Sequence, residues 1–380
     1  MSASRHVGIN LLSLIPRMVG GAETAALGLL GELAQQRPAG HELSLFCLDS
    51  FVREHPEVAV RFNTKVLPIN GHIRPLRVLG ENSWLAAEAR RSKIDVMHHM
   101  GNVIPPGCGV PGVVTIYDLQ PFDIPENFSR VKTFYLRSVA PRSANRARAV
   151  ITPSNFARNS VIDRFGIPPE RVRIIHLGVE EPTSQMSIAE VRERYGIRGR
   201  WFVFNAVTSR HKNHEMLLRA FAKVAEKEPD VILVLTGGQG RAEETVRRDI
   251  ESLGLSKRVL RPGRVPRPDL IGILRGAVAL TFPSCYEGFG LPVVEAMSLG
   301  TPVLAADATA LPEIVGDGGR LIDPTDVDAW AGAMLGLLDD EQERQQLIRM
   351  GLGRAQSFSW AAAAEQTFRV YRDVLGDVAS

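Results

Sequence analysis

The chain has 380 residues, of which 44% are hydrophobic and 23% charged, and its formal net charge is +3. This length exceeds what one hydrophobic core usually supports, so two domains are expected. The cysteines are few and scattered, which excludes a disulfide framework and predicts a reduced, cytoplasmic compartment. No apolar run approaches the roughly 20 residues that cross a bilayer. The apolar segment 7–15 is interpreted as a buried strand, because no small-residue cleavage site of a signal peptide follows it.

Short apolar runs alternate with longer amphipathic stretches in both halves of the chain. Such runs are typical of parallel strands buried on both faces, and the alternation predicts α/β doubly wound sheets. Because the pattern occurs twice, we predict Rossmann-like domains at 1–180 and 181–360, followed by a terminal helix within 361–380. The runs predicted as strands are 7–12, 43–47, 66–69, 96–98, 113–117 and 150–152, then 201–207, 231–236, 259–260, 278–282 and 303–305.

A glycine-rich loop and a helix start follow the predicted strand 278–282. The segment 283–297 reads PSCYEGFGLPVVEAM. Pro292 suits the first turn of a helix, where its missing N–H would be unpaired. Gly288 and Gly290 allow backbone N–H groups to approach a ligand closely. A helix start beside such a loop favours binding of a diphosphate.

Two glutamates accompany this loop. Glu287 lies on the loop and Glu295 in the predicted first turn of the helix. Carboxylates accept paired hydrogen bonds from vicinal hydroxyls, so both side chains are suited to sugar rings. The alternative for Glu295 is that it merely compensates the helix dipole.

The stretch 263–326 resembles the donor domain of family-four retaining glycosyltransferases, which have the GT-B fold. The resemblance implies two Rossmann-like domains that face each other across a cleft, with a C-terminal helix that packs back on the N-terminal domain. It also implies acceptor binding by 1–180 and nucleotide-sugar binding by 181–360. The motifs that carry it are EGFGLP at 287–292, the glutamate eight positions after the first, GTPV at 300–303, LPEIVG at 311–316 and DP at 323–324.

The resemblance implies a role for individual residues. Glu295 would bind the ribose of the nucleotide, and Glu287 would contact the donor sugar near the reacting centre. Arg264 and Val265 follow Gly263 at the position where the family's backbone meets the nucleobase. The residues whose backbone groups would hold the sugar hydroxyls and the diphosphate are Gly288, Phe289, Gly290 and Leu291.

A second candidate element, SRHKN at 209–213, follows the predicted strand 201–207. Its Asn213 is expected to cap the helix that follows with its side chain. Lys212 is a candidate to stabilise the negative charge on a leaving diphosphate. The alternative is a helix-entry loop with ordinary surface charges. Many members of the family have an arginine about six residues earlier, where this chain has Ala206, and Arg210 is the candidate substitute.

The first half supplies weaker candidates. Gly20 and Gly21 precede a predicted helix, and similar pairs in the family approach the donor phosphates, although a plain turn is equally consistent. Asp118 follows the strand 113–117 and would orient or deprotonate an acceptor hydroxyl, or else cap its own loop. Related enzymes often have histidine where this chain has Tyr117, so the acceptor side departs from the family pattern.

Metal and cofactor motifs are missing from the sequence. No pair of aspartates is placed to bind manganese, and no Cys or His cluster has metal spacing, so we predict neither a metal nor a resident cofactor. The segment TGGQG at 236–240 lacks the third glycine of a dinucleotide fingerprint. His98 and His99 end the predicted strand 96–98 without a visible partner and are interpreted as structural.

These observations predict a metal-independent, retaining hexosyltransferase that uses a nucleotide-diphosphate sugar. GDP-mannose is the preferred donor, because residues 118–129 resemble those of mannosyl- and rhamnosyltransferases. The donors dTDP-rhamnose, UDP-glucose and UDP-N-acetylglucosamine stay open. The alternatives are a sugar-nucleotide epimerase on the same fold and a catalytically silent partner subunit that binds a nucleotide sugar.

The acceptor is predicted to be a saccharide, a lipid-linked molecule or a small molecule. Residues 130–173 contain ten Lys or Arg against two acids. This run is either a solvated helix face or a surface for anionic lipid or a phosphate-bearing acceptor, which would bring the protein to the cytoplasmic face of a membrane. Nucleic acid is not a predicted partner, because no aromatic stacking motif accompanies the charge.

Overall fold

Both halves of the chain form a parallel sheet, because their apolar strands must be covered by helices on both faces. The protein is described by a computed structural model over residues 5–16, 20–180 and 184–376. It forms two units, the first made of 1–178 with 359–380 and the second of 179–358.

The sheet of the first unit is wholly parallel, in the order β3-β2-β1-β4-β5-β6-β7. The strand order reverses between β1 and β4, which is the topological switch point where ligands bind in doubly wound folds. The strands are β1 Arg5–Asn10, β2 His41–Leu48, β3 Asn63–Leu67, β4 Val96–His99, β5 Gly112–Thr115, β6 Ala149–Thr152 and β7 Val172–Ile174.

Helices connect these strands and cover both faces of the sheet. The helix that follows Ser154 has a side-chain cap, because the Ser154 hydroxyl accepts a hydrogen bond from the Ala157 N–H at 3.1 Å. The helices are α1 Gly21–Gln35, α2 Asp49–Glu54, α3 Pro56–Ala59, α4 Arg74–Asn82, α5 Trp84–Arg91, α6 Gln120–Asp123, α7 Arg130–Arg146 and α8 Asn155–Phe165.

The second unit repeats the plan with a parallel sheet in the order β10-β9-β8-β11-β12-β13 and a switch point between β8 and β11. Its elements are α9 Ile188–Tyr195, β8 Trp201–Asn205, α10 His214–Lys227, β9 Ile232–Thr236, α11 Glu243–Ser252, β10 Val259–Gly263, α12 Arg267–Arg275, β11 Ala279–Phe282, α13 Leu291–Ser298, β12 Val303–Ala306, α14 Leu311–Val315, β13 Arg320–Ile322, α15 Val327–Asp339 and α16 Glu341–Ala355.

The last helix, α17 Trp360–Leu375, belongs to the first unit, as predicted. Its Trp360 ring packs against α1 at Gly28, where a Cβ atom would lie 2.2 Å from the ring. The contact therefore requires glycine at this position. None of the described helices has the length and apolar composition of a membrane span.

Two strands escaped prediction. β7 and β13 have three residues each and lie at the edges of their sheets. An edge strand has one neighbour and stays partly exposed, so it tolerates a charged residue. Arg173 and Arg320 therefore interrupt the apolar runs by which strands were predicted.

Candidate active site

The loops after β8 and β11 lie side by side at the switch point of the second unit, because these strands are neighbours in the sheet. Hydrogen bonds join the two loops. The Cys285 N–H donates to the His211 carbonyl at 2.8 Å, and the Ser284 hydroxyl donates to the same carbonyl at 3.2 Å. The loops are thereby held as one surface at the carboxyl edge of the sheet.

Asn213 fixes the start of α10 in an unexpected way. It occupies the cap position, but its φ of +61° is left-handed and its side chain makes no capping hydrogen bond. Its amide instead donates to the carbonyls of Pro283, at 3.2 Å, and Pro324, at 2.8 Å. The expected side-chain cap is therefore wrong. The residue that precedes α10 links three loops of the carboxyl edge.

Lys212 and Glu287 form an ion pair at this edge, with 2.5 Å between Nζ and Oε1. Their side chains are 17% and 11% exposed, so the pair is largely desolvated. The Lys212 ammonium also lies 5.4 Å from the centroid of the Phe282 ring. The Glu287 N–H donates to the Thr309 hydroxyl at 2.9 Å, which fixes the loop backbone. The sequence predicted both charged residues, and the fold brings them together from positions 75 residues apart.

The glycine loop leads directly into α13, close to the predicted helix start at Pro292. Gly290 precedes α13 with a φ of +105°, and a Cβ atom there would lie 2.7 Å from a methyl of Leu311. Glycine is therefore required for both backbone and packing. Phe289 is 4% exposed and its ring stacks edge-on against Phe358. Because the side chains of Phe289 and Leu291 are buried, these residues can contact a ligand only through their backbone groups. The same holds for Gly288, which has no side chain.

Glu295 lies just beyond the first turn of α13, in which it was predicted, because the helix begins at Leu291. It is the fifth residue of α13, beyond the first turn where the helix dipole acts most strongly. Its Oε1 accepts a hydrogen bond from the Arg267 guanidinium at 2.6 Å. Burial raises the pKa of Glu295, Arg267 lowers it, and Glu180 raises it. Arg267 therefore favours the ionised carboxylate that the ribose role would require.

Arg267 is a site residue that sequence reasoning missed. It is the first residue of α12, directly after the loop with Gly263, Arg264 and Val265 that was predicted to meet the nucleobase. The Arg264 guanidinium lies over Gly238, where a Cβ atom would be 2.9 Å from Arg264 Nε. The signal in the sequence was a cation beside a predicted base-binding loop, but its carboxylate partner is 28 residues away.

Arg210 begins the 3-10 turn 210–212 and is exposed. Its carbonyl accepts from the Asn213 N–H at 2.9 Å. Ala206 stands where many family members have arginine. Its carbonyl oxygen would lie 2.2 Å from a Cβ atom added to Gly237. The diphosphate role of Arg210 stays a prediction.

Two histidines of the same segment also escaped prediction. The pKa of His211 is lowered to about 4, mainly by burial and then by the charge of Lys212, while Glu287 acts in the opposite direction. His214 is 4% exposed and stacks on Phe204, and its pKa is lowered to about 3, mainly by burial and then by Lys212. Both rings are neutral at physiological pH. The positive charge of this edge therefore comes from lysine and arginine.

Gly20 and Gly21 form a helix start in the first unit. The carbonyl of Gly20 accepts hydrogen bonds from Glu23 N, at 2.9 Å, and Thr24 N, at 3.3 Å, and its φ is +52°. A Cβ atom on either glycine would have no neighbour within 4 Å among the described residues. The positive φ of Gly20 therefore favours glycine at this position.

Asp118 caps its own loop, which was the second interpretation of this residue. Its carboxylate accepts hydrogen bonds from the Gln120 backbone N–H at 3.0 Å and from the Gln120 side-chain amide at 3.2 Å. The Tyr117 N–H donates to the Asn102 side chain at 3.2 Å, and burial raises the pKa of the Tyr117 hydroxyl. Tyr117 therefore stays protonated where related enzymes often have histidine.

His98 has a structural role, as the sequence predicted. Its two ring nitrogens share hydrogen bonds with the hydroxyls of Tyr371 on α17 and Thr115 on β5, both at 2.7 Å. His99 Nδ1 accepts from the Asn10 amide at 3.1 Å. Burial lowers the pKa of both histidines to about 3.

The residues of the basic run 130–173 lie on several elements of the first unit. It is distributed over α7, α8 and β7, and most of its arginines are engaged within the first unit. Arg164 pairs with Asp123, and several others donate to backbone carbonyls. The arginines that donate in this way are Arg137, Arg142, Arg146, Arg158, Arg171 and Arg173. Among the described residues, no group of three or more His, Cys, Asp or Glu side chains is arranged to hold a metal ion.

Two protein-family models match the chain. The model described as Glycosyltransferase Family 4 matches residues 19–181, and the model described as Glycosyl transferases group 1 matches residues 188–353. Together they cover most of both units.

Among curated proteins, the O-antigen chain mannosyltransferase B of Escherichia coli is 30% identical over 363 residues, which are 91% of this chain and 94% of that protein. The MMP alpha-(1->4)-mannosyltransferase of Mycolicibacterium hassiacum is 32% identical over 244 residues, 63% of this chain and 57% of its own length.

Solved structures show the same fold. HepE from Anabaena, in complex with UDP and glucose, superposes with a TM-score of 0.77 at 22% identity, over 97% of this chain and 100% of that one. Sucrose-phosphate synthase from Thermosynechococcus elongatus superposes with a TM-score of 0.78 at 20% identity, over 98% and 99% of the two chains. The predicted α/β architecture of GT-B glycosyltransferases is confirmed.

Proposed function

Because the chain belongs to family four of the GT-B glycosyltransferases, we propose that it transfers a hexose, mannose by preference, from a nucleotide-diphosphate sugar to an acceptor hydroxyl with retention at the anomeric carbon. The donor sugar, the acceptor and the stereochemistry are the parts of this proposal that need testing. Similarity to two mannosyltransferases supports the choice of mannose.

The observation that carries the proposal is the buried pair of Lys212 and Glu287 at the switch point of the second unit. A cation held beside a carboxylate in a desolvated edge offers one group for a phosphate and one for a sugar hydroxyl. In this proposal, Lys212 binds the leaving diphosphate and Glu287 accepts hydrogen bonds from the donor sugar.

Other residues of the second unit would hold the rest of the donor. Glu295 would bind the ribose, and the backbone of Arg264 and Val265 would meet the nucleobase. Arg210 would supply a further cation for the diphosphate. The backbone groups proposed for the sugar and phosphates are those of Gly288, Phe289, Gly290 and Leu291.

In the first unit, we propose that Gly20 and Gly21 approach the donor phosphates. Asp118 would orient the acceptor hydroxyl. Since its carboxylate already accepts two hydrogen bonds from Gln120, its contribution would be positional more than basic.

The chemical step follows from this assignment. The acceptor oxygen attacks the anomeric carbon as the bond from that carbon to the phosphate oxygen breaks, and that oxygen takes the acceptor proton. Lys212 stabilises the charge that develops on the phosphate. This step requires no protein nucleophile. It is therefore compatible with Glu287 and Glu295 as residues that bind the donor.

The acceptor is proposed to be a saccharide or a lipid-linked molecule, with a peripheral contact to an anionic membrane. Similarity to an O-antigen chain mannosyltransferase supports a glycan acceptor.

A thermal-shift screen of nucleotides and nucleotide sugars tests the donor, because a ligand that binds the folded state stabilises it by mass action. GDP-mannose should raise Tm more than UDP-glucose, UDP-N-acetylglucosamine or dTDP-rhamnose at equal concentration. A larger shift with a uridine nucleotide would replace the donor assignment.

Product analysis then separates the classes of activity. The proposal expects an α-glycoside from an α-linked donor. The one-bond carbon–proton coupling at the anomeric carbon reads this out, because the H1–H2 coupling of a mannoside is small in both anomers. Isomerised donor without acceptor would identify an epimerase. Calorimetric binding without turnover across a broad acceptor panel would identify a silent partner subunit.

A further inference from the structure

A threonine in the loop between β12 and α14 has a backbone conformation that β-branched residues avoid. Thr309 has a φ of +54°, which lies in the left-handed region. Two heavy atoms on its Cβ make this conformation strained, whereas glycine would adopt it freely. Strained residues of this kind persist where neighbouring contacts hold them, and they cluster at functional sites.

The turn that contains Thr309 normally has glycine at this place. The Leu311 N–H donates to the Ala308 carbonyl at 3.1 Å, which closes a four-residue turn with Thr309 and Ala310 at its centre. Ala310 has a φ of −82° and a ψ of −17°. A positive φ followed by a negative one is the pattern of a type II′ turn, whose first central residue is usually glycine. Backbone geometry alone therefore favours glycine at position 309.

The Thr309 side chain supplies a contact that glycine would lack. Its hydroxyl accepts a hydrogen bond from the backbone N–H of Glu287 at 2.9 Å. The two residues meet because β11 and β12 are neighbours in the sheet, so the loops that follow them begin side by side. Glu287 is 8% exposed, so water has little access to replace the hydroxyl as acceptor.

Glu287 is thereby held from two sides. Its carboxylate pairs with Lys212 from the loop after β8, at 2.5 Å, and its backbone N–H is bound from the loop after β12. The turn 308–311 also contacts the glycine loop directly, since a Cβ atom on Gly290 would lie 2.7 Å from a methyl of Leu311. This turn is therefore a support for the loop that carries Glu287.

We propose that Thr309 is a positioning residue for Glu287, and that its hydroxyl fixes the Glu287 backbone so that the carboxylate is aimed at the donor sugar. The inference rests on the proposed function, in which Glu287 accepts hydrogen bonds from that sugar. A small displacement of such a group lowers the rate, because the reacting atoms must be aligned. Threonine at this position exchanges stability of the turn for alignment of the site.

A role in folding alone predicts a different response to substitution. If Thr309 only stabilised the second unit, turnover would follow thermal stability in every variant. A positioning role separates the two quantities, because substitution by glycine removes the hydroxyl and relieves the strain together. Turnover should then follow the hydroxyl, and stability should also follow the backbone conformation.

Three variants at position 309 test this separation. Thr309→Val keeps the shape and the strain without an acceptor, and Thr309→Gly lacks the acceptor but relieves the strain. Both should lower kcat about tenfold. The Tm of Thr309→Gly should nevertheless lie about 2–4 °C above that of Thr309→Val. Thr309→Ser keeps the hydroxyl and should retain at least half of the wild-type kcat. Turnover is measured with the donor that gives the largest thermal shift, which is GDP-mannose in the proposal.

Amide hydrogen exchange measures the hydrogen bond without any substrate. The Glu287 N–H should exchange slowly in the wild type and in Thr309→Ser, and about tenfold faster in Thr309→Val and Thr309→Gly. Lys93→Gly is the matched control, because Lys93 also has a positive φ, of +51°, but lies in the first unit after α5. This control should leave both kcat and the exchange of Glu287 unchanged.

Three results would overturn the proposal. They are wild-type kcat in Thr309→Val and Thr309→Gly, a loss of kcat in Thr309→Ser as large as in Thr309→Val, and equal exchange of the Glu287 N–H in all variants. A wild-type chain that transfers no sugar from any donor would contradict the proposed function instead. In that case, the exchange rates and Tm values still decide whether Thr309 holds Glu287.

Discussion

The two sheets reverse their strand order in the same way, yet their carboxyl edges carry different chemistry. In the second unit, Lys212 pairs with Glu287, and Arg267 pairs with Glu295, all close to the switch point. In the first unit, the corresponding edge holds a neutral network, in which His98 bridges two hydroxyls. One topology therefore supports a charged edge and a neutral one.

This difference shows that the fold offers a place for a ligand while side chains select the ligand. An anionic nucleotide needs cations, and the second unit provides Lys212 and Arg267 near its glycine loop. The first unit commits its polar groups to internal bonds, as Asp118 does with Gln120. Substitutions at the two edges should therefore have different consequences.

The largest effect is expected at the charged edge. Lys212→Ala should reduce kcat by about 10²- to 10³-fold, because the cation would act on charge that develops in the transition state. The measurement is steady-state turnover with saturating donor. Lys223→Ala, a solvent-exposed lysine on α10 of the same unit, is the matched control.

Removal of Lys212 also leaves Glu287 unpaired and buried, so loss of activity must be separated from loss of folding. The double variant Lys212→Met with Glu287→Gln removes both charges and should recover thermal stability while turnover stays low. Near-wild-type turnover in Lys212→Ala would remove this lysine from the mechanism.

At the neutral edge, the expected effect is on stability. Tyr371→Phe leaves His98 Nδ1 without its partner and should lower the free energy of unfolding by about 1–3 kcal/mol. Donor affinity should not change, since the network belongs to the first unit. Urea denaturation and a nucleotide thermal shift measure the two quantities, with Tyr135→Phe at a partly exposed position as control.

The same network sets a pH dependence. The pKa of His98 is about 3 in the folded protein, against its ordinary value of 6.5. Below pH 6.5 the unfolded chain binds a proton that the folded chain does not, so stability should fall as the pH drops from 6.5 towards 3. A flat Tm across this range in the wild type would contradict a neutral His98.

The smallest effect is expected for Arg267→Ala. Without this cation, the pKa of the buried Glu295 rises further, so the carboxylate is protonated at higher pH. Donor Kd should then increase about five- to tenfold at pH 6 relative to pH 8, whereas the wild type changes less. Calorimetric titration measures it, with Arg275→Ala at the other end of α12 as control. An equal loss at both pH values would show that Arg267 acts only by contact.

Much of the fold followed from local pattern. Buried strands such as β2 and β11 were predicted because their apolar runs need cover on both faces. β13 was not, because an edge strand of three residues with an arginine has no such run. The glycine loop was also predicted from the sequence, and its Gly290 has a positive φ that other residues avoid.

Hydrogen bonds and ion pairs between distant segments could not be predicted from local sequence patterns. Asn213 was expected to cap α10, but carbonyls 70 and 111 residues away compete for its amide and win. Arg267 had no visible role until α12 and α13 brought it to Glu295. The basic run 130–173 was interpreted as one surface feature. In the structure, most of its arginines donate hydrogen bonds to backbone carbonyls of the first unit.

By itself, the sequence determined the two parallel sheets, the glycine loop and the residues that carry charge at the carboxyl edge of the second unit, because each depends on neighbours along the chain. The tertiary structure alone decided which charges pair, which histidines are neutral and which hydroxyl binds the Glu287 backbone. Those properties depend on desolvation and on contacts between distant segments, and no single stretch of sequence contains either.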